Sequence, residues 1–315
     1  MKTDLSPWGL TLGRIRDDIL LPGSPERCAS RVAVDDSTGR TWMLEQLKPG
    51  QFDSRERIGR ALTTLSDAGV PVPAYVAADG RYCVEQGGAY WQLSPFIFGD
   101  PLPQPEFVDD AARGVSLGQF IAGMRFVSSA ASDEFLNVPR FDLEAYVNEL
   151  MAVMAPRRVD LHEALLPVLG VLAPLFDVWH DLPVALCQGD FHPLNVIWND
   201  TQVGAVIDWE FMGLRPVLFD VANCLGCVGI EDPHALVRGL APALLKTLRD
   251  QGQLDPADLA LLPEMILGMR FAWMSEWLRK QDEEMAQLEV RYMRLLGNSI
   301  DTLLPVWEQM LGMKG

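Results

Sequence analysis

The spacing of apolar residues in this sequence changes character once, at Gly99-Asp100-Pro101, and the change restricts the chain to folds in which a small sheet precedes a large helical body. Before it, Arg31 to Val34 and Thr41 to Leu47 are short strand-like runs flanking the turn signal Asp35-Asp36-Ser37-Thr38-Gly39, which predicts a hairpin. A helix over Asp53 to Ala68 is expected next, with Asp53 or Ser54 as its cap and Gly69 as its stop. Val70-Pro71-Val72-Pro73 cannot extend that helix, and Tyr75 to Val84 and Tyr90 to Ile97 read as two more strands around Gly87-Gly88. After the change, helical periodicity runs through Asp109 to Val127, Leu143 to Met154 and Glu163 to His180. Short strands around Leu186, and from Asn195 to Trp198 into Ala205 to Trp209, interrupt it. Helical segments from Pro233 onward are expected to break at Gly252 to Pro256 and at Pro263. The predicted organisation is an N-terminal lobe over residues 1–98 and a helical lobe over 99–315.

Charge and apolar runs exclude several functions. A net charge of -17, with no stretch that concentrates Lys and Arg, opposes nucleic-acid binding, because nothing would neutralise the phosphates. The most apolar stretch, Ala164 to Phe176, contains Pro167, Gly170 and Pro174 and falls short of the roughly 20 residues a membrane helix needs. No signal-peptide pattern opens the sequence, so a cytoplasmic location without membrane association is expected. The five cysteines are scattered and odd in number, which suits a reducing compartment. Cys224-x-x-Cys227 lacks the second pair or nearby His that zinc would require and reads as packing on a buried helix.

The chemistry concentrates in Leu186-Cys187-Gln188-Gly189-Asp190-Phe191-His192-Pro193-Leu194-Asn195-Val196-Ile197-Trp198, followed by Val206-Ile207-Asp208-Trp209-Glu210. Phosphoryl transfer from ATP needs a carboxylate to orient and deprotonate the acceptor hydroxyl, and oxygen ligands for the magnesium that neutralises the phosphates. Asp190, five residues before Asn195, has the spacing at which a kinase catalytic loop offers one Asp to the substrate and one Asn to the metal. Asp208, ending a short apolar strand, could complete the magnesium site. A lone loop Asp is ordinarily a turn or cap residue; the set G-D-x-H-x-x-N with a following I-D-W is far more restrictive.

On these residues the chain resembles the aminoglycoside phosphotransferase and choline kinase family, from about Gly23 to Asn223. The resemblance implies a protein-kinase-like α+β fold, with ATP between a small antiparallel-sheet lobe carrying one main helix and a large, mainly helical lobe. It implies Asp190 as catalytic base, Asn195 and Asp208 as Mg2+ ligands, and His192 as support for the loop. Asp220, in Leu218-Phe219-Asp220-Val221-Ala222, matches a family segment that braces the catalytic loop. Gly23 and Ser24, in Pro22 to Arg27, would cover the phosphates, and adenine would meet the backbone near Ser94 and Phe96. Trp273, Glu276 and Trp277 on a late helix would suit an amine-bearing small-molecule acceptor.

Two positions depart from the family pattern. Gln188 stands where His is usual; it keeps donor and acceptor capacity but cannot titrate. Glu45 falls where a phosphate-binding Lys or Arg is usual on the third strand. An ion pair with exchanged charges, Glu45 with Arg60 on the following helix, would reconcile this, and Lys48 or Arg31 are alternative phosphate cations. Glu45 also supports a rival reading, a nucleotide-binding pseudokinase acting as scaffold or regulator, which the intact Asp190, Asn195 and Asp208 oppose.

Overall fold

A computed structural model describes residues 3–21, 28–130 and 140–313. The N-terminal lobe is a five-stranded antiparallel sheet of β1 (Leu12–Ile15), β2 (Ser30–Asp36), β3 (Thr41–Gln46), β4 (Val84–Gln86) and β5 (Ala89–Pro95), in the order β1-β2-β3-β5-β4. The β2–β3 hairpin forms where expected, and its turn is held by Asp36, whose Oδ1 accepts from the Thr38 N–H at 2.8 Å and the Arg40 N–H at 3.1 Å. The sequence reading missed β1. It is short, mostly exposed and carries no alternation; Gly13 admits it, since a Cβ there would lie 2.5 Å from the Asp36 carbonyl oxygen.

The expected strand over Tyr75 to Val84 does not form as such. Only Val84 enters a ladder; Val76 donates to the Leu93 carbonyl at 2.8 Å, and Ala78 and Arg81 form an isolated bridge across a turn with Asp79 and Gly80 at positive φ. The turn chemistry of Asp79-Gly80 overrode the apolar run.

Helix α1 (Phe52–Asp67) buries Ile58, Ala61, Leu62 and Leu65, a stripe at helical spacing. These side chains join the large core of the helical lobe, whereas Leu5, Trp8, Val34, Trp42, Leu44, Trp91 and Leu93 form a separate cluster on the sheet. Thus α1 lies between sheet and helical body.

The helical lobe contains α2 (Ala111–Ala130), α3 (Leu143–Met154), α4 (Val159–Val178), α5 (Phe219–Glu231), α6 (Leu240–Asp250), α7 (Pro256–Lys280) and α8 (Glu283–Leu311). Two hairpin-like pairs interrupt them: β6 (Val184–Cys187) with β9 (Gly213–Pro216), and β7 (Val196–Asn199) with β8 (Gln202–Val206). A break was expected at Pro263, but it sits inside continuous α7, as Pro167 and Pro174 sit inside the expected helix α4. The segment Val159–Asp181 is consequently long and apolar enough, by length and composition alone, to cross a membrane. In this fold Leu161, Leu165, Val168, Leu172 and Leu175 of that segment pack into the common core at alternating spacings of four and three.

Candidate active site

The loop between β6 and β7 carries Gln188 to Asn195, and the turn after β8 carries Asp208. The Ile207 N–H donates to the Asn195 carbonyl at 2.9 Å, so both segments are locked side by side. Gln188, wholly buried, joins them further. Its Nε2 donates to the Ile207 and Asp208 carbonyls at 2.8 and 2.6 Å, while its Oε1 accepts from the Asp190 N–H at 2.7 Å. An amide carries a donor and an acceptor at fixed positions with no proton to gain, and both are used here.

Gly189 allows this approach. Its φ is +92°, and a Cβ would stand 2.2 Å from the Phe211 carbonyl oxygen. Asp220, at the start of α5, accepts from the Gln188 and Gly189 N–H groups at 2.7 and 2.9 Å. Burial raises its pKa, opposed by those two amides and by the charges of Arg215 and Arg125. Asp220 is therefore bound to the catalytic-loop backbone from behind.

Among the described residues, Asn195, Asn223 and His192 stand beside the Asp190 carboxylate. Asn195 Nδ2 donates to Asp190 Oδ2 at 3.0 Å and to the Asp190 carbonyl at 2.9 Å. Asn223 Nδ2 lies 3.5 Å from Asp190 Oδ1, and His192 Nε2 lies 3.7 Å from the same oxygen. With its amide nitrogen committed to Asp190, Asn195 has its carbonyl oxygen to offer a cation. Asp208 takes a left-handed backbone, φ 59° and ψ 58°, unusual for a residue with a side chain. Oxygen donors of this kind fit Mg2+, a hard ion that usually takes few protein ligands and completes its shell with phosphate and water. Among the described residues no group of three or more His, Cys, Asp and Glu is placed to hold a metal by itself. Cys224 is buried and Cys227 half-buried, and desolvation raises both thiol pKa values, that of Cys227 to about 12, which keeps them poor ligands.

On the acceptor side, Trp273 of α7 sits edge-on to His192, with centroids 5.4 Å apart, and its Nε1 donates to Asn223 Oδ1 at 3.2 Å. Trp277 packs beside it at 5.7 Å. A fully buried ion pair underlies both rings: Arg270 meets Glu289 through two bonds of 2.6 Å, and Trp277 Nε1 donates to Glu289 at 3.1 Å. Glu276, expected beside the rings as an acceptor for an amine, is instead held by its own helix. Arg279 and then Lys280 lower its pKa to about 2.

On the nucleotide side, Gly23 and Ser24 lie outside the described residues. Ser94 pairs with Met43 of β3, and the Phe96 N–H donates to the Thr41 carbonyl at 3.1 Å, so these amides belong to the sheet. Antiparallel alternation turns the Pro95 carbonyl and the Ile97 N–H away from β3. These two groups adjoin Ser94 and Phe96, near which adenine was expected to meet the backbone.

The Glu45–Arg60 pair does not form. Arg60 is exposed and meets Glu56 of its own helix at 3.5 Å, and Glu56 in turn caps the Tyr82 and Cys83 N–H groups at 2.9 and 2.7 Å. A buried cation of α1, Arg55, which the sequence reading did not single out, meets the turn beside Asp208. It is 6% exposed, its NH2 lies 2.8 Å from Glu210 Oε1, and its NH1 lies 3.4 Å from the Tyr75 hydroxyl. Burial would lower its pKa, but Tyr75, Glu45 and Glu210 together raise it. Arg31 is the cross-strand neighbour of Glu45 on β2 and is half-buried. Asn223 was also missed; its position three residues after Asp220 on α5 was the available signal.

Residues 27–260 match the sequence profile of the phosphotransferase enzyme family. A homoserine kinase of Rhodopseudomonas palustris is 29% identical over 212 residues, 66% of this chain; the match spans 62% of that kinase's length. Among solved structures, an amicoumacin kinase in complex with AMP-PNP, Ca2+ and Ami superposes with a TM-score of 0.64 at 15% identity, covering 94% of this chain and 92% of that one. A choline/ethanolamine kinase family protein from Mesorhizobium loti gives 0.63 at 16% identity, covering 94% and 93%. The latter two likenesses establish the protein-kinase-like fold.

Proposed function

Because the chain belongs to the phosphotransferase enzyme family, we propose that it is an ATP-dependent kinase that phosphorylates a hydroxyl of a small amino alcohol, with homoserine the first candidate. Residues 1–98 form the nucleotide-binding lobe in this reading, and residues 99–315 supply catalysis and the acceptor site. The observation that carries it is the Asp190 carboxylate: held by Asn195 at 3.0 Å, flanked by Asn223 and His192, and fixed through its backbone by Gln188.

Asp190 orients the acceptor hydroxyl and takes its proton as the hydroxyl oxygen bonds to the γ-phosphorus. The bond from that phosphorus to the β,γ-bridging oxygen breaks, and ADP leaves. Asn195 and Asp208 would hold Mg2+, which would supply positive charge to offset that of the phosphates. Gln188 and Asp220 keep the loop rigid, so the base does not reorganise during the step. Adenine is received at the Pro95 carbonyl and the Ile97 N–H. Trp273 and Trp277 wall the acceptor, and their ring faces favour an ammonium group.

Incubation with ATP, magnesium and either homoserine, choline, ethanolamine or an aminoglycoside, followed by mass analysis, tests this. A phosphorylated amino alcohol is expected. Phosphorylation of the aminoglycoside alone would contradict the acceptor class.

A further inference from the structure

Glu45 stands on β3 between Arg31 of β2 and Gln92 of β5. The main chain of Arg55 is tied to the same strand pair, because Gln92, the cross-strand neighbour of Glu45 on β5, donates to the Arg55 carbonyl at 3.3 Å. The guanidinium then crosses 155 residues of sequence to reach Glu210 at 2.8 Å, with side chains only 7% and 24% exposed. Glu210 lies in the short 3-10 turn Trp209–Phe211, which opens directly from Asp208 and its left-handed backbone. Such a conformation persists where its surroundings over-determine it. Gln188 grips this turn from the catalytic loop, through the Asp208 carbonyl. Arg55 grips it from α1.

We propose that Arg55 is a positioning residue: paired with Glu210, it acts through that carboxylate to hold Asp208 where it meets the magnesium–nucleotide complex. This inference rests on the kinase reading above. An arginine suits the task because its planar fork can serve several oxygen partners at once without losing its charge.

Thermal-shift titrations of the full chain with ATP, with magnesium and with both provide the test. The wild type is expected to be stabilised by ATP in a magnesium-dependent way. Arg55→Gln and Glu210→Gln should each raise the magnesium concentration for half-maximal effect about tenfold or more, the scale of losing a residue that supports a metal ligand. The small shift given by ATP without magnesium should barely move. Arg55→Lys should recover part of the loss, and the exchange of Arg55→Glu with Glu210→Arg should recover more than either single reversal retains. If Arg55→Gln does not fold, the more exposed Glu210→Gln carries the same test. An unchanged magnesium requirement in the Gln variants, or additive losses in the exchange, would overturn the role of Arg55 and leave the kinase reading intact. A wild type with no magnesium-dependent response to ATP would remove both.

Discussion

At the scale of single residues, the site is an arrangement of constrained backbone around one carboxylate. Gly189→Ala should be costly, because the added methyl meets the Phe211 carbonyl and φ is +92°. The expected loss is about 1–3 kcal/mol or more in urea denaturation, the cost of a strained backbone, together with reduced turnover. Gly170→Ala is the control. It lies exposed in α4 with nothing within 4 Å of its Cβ position, and should leave stability unchanged or raise it by about 0.5–1 kcal/mol. That Asp190, Asn195 and Asp208 lie close together could be read from sequence, because they occupy one short loop and the turn that follows it. Gln188 was recognisable as a departure, yet its bonds to Ile207 and Asp208 were not, since they join segments about twenty residues apart. Arg55 gave no local signal at all. Its partner is 155 positions away, and Arg60 looked equally suitable until the helix register was fixed.

Among the elements, α7 carries most of what distinguishes the acceptor side. Its inner face sets Arg270 against Glu289 of α8 and props Trp273 and Trp277 above that pair, so the charge pair and the aromatic wall form one assembly. Removing one partner with Glu289→Ala leaves Arg270 buried without its carboxylate and should cost about 3–5 kcal/mol in chemical denaturation. Arg270→Met combined with Glu289→Leu should be much milder than either single change, because no charge is then stranded. The outer face behaves differently. Glu276 has its folded pKa depressed from 4.5 to about 2 by Arg279 and Lys280, so the stability it contributes is present above pH 4.5 and is lost as pH falls towards 2. Glu276→Gln should abolish that part of the acid slope in thermal midpoints, while leaving the KM for the acceptor unchanged; a raised KM would return Glu276 to the pocket. Periodicity identified α7 and its Trp pair. It could not say which way Glu276 turned, because residues three and four apart on a helix can satisfy one another before anything else does.

For the whole molecule, the order of sheet then helices was legible because the apolar period changes at one place, and the family motif lies in the second part. Less legible was how the parts are joined. Helix α1 follows β3 in sequence but gives its apolar stripe to the core of the helical lobe, and its Arg55 to the turn beside Asp208. The core of the helical lobe and the turn beside Asp208 are therefore joined through one helix. The central claim is that this cleft transfers phosphate and that Asp190 is the base. Its most direct test is acceptor-dependent ADP release from magnesium–ATP, measured side by side for the wild type and Asp190→Asn across a panel of amino alcohols. The account predicts saturable release with one acceptor class and a fall of about 10²–10⁴-fold in the variant, with ATP-induced stabilisation retained in both. Tight nucleotide binding without release for any acceptor, or undiminished release in Asp190→Asn, would contradict it, the first outcome favouring a nucleotide-binding scaffold and the second a different base.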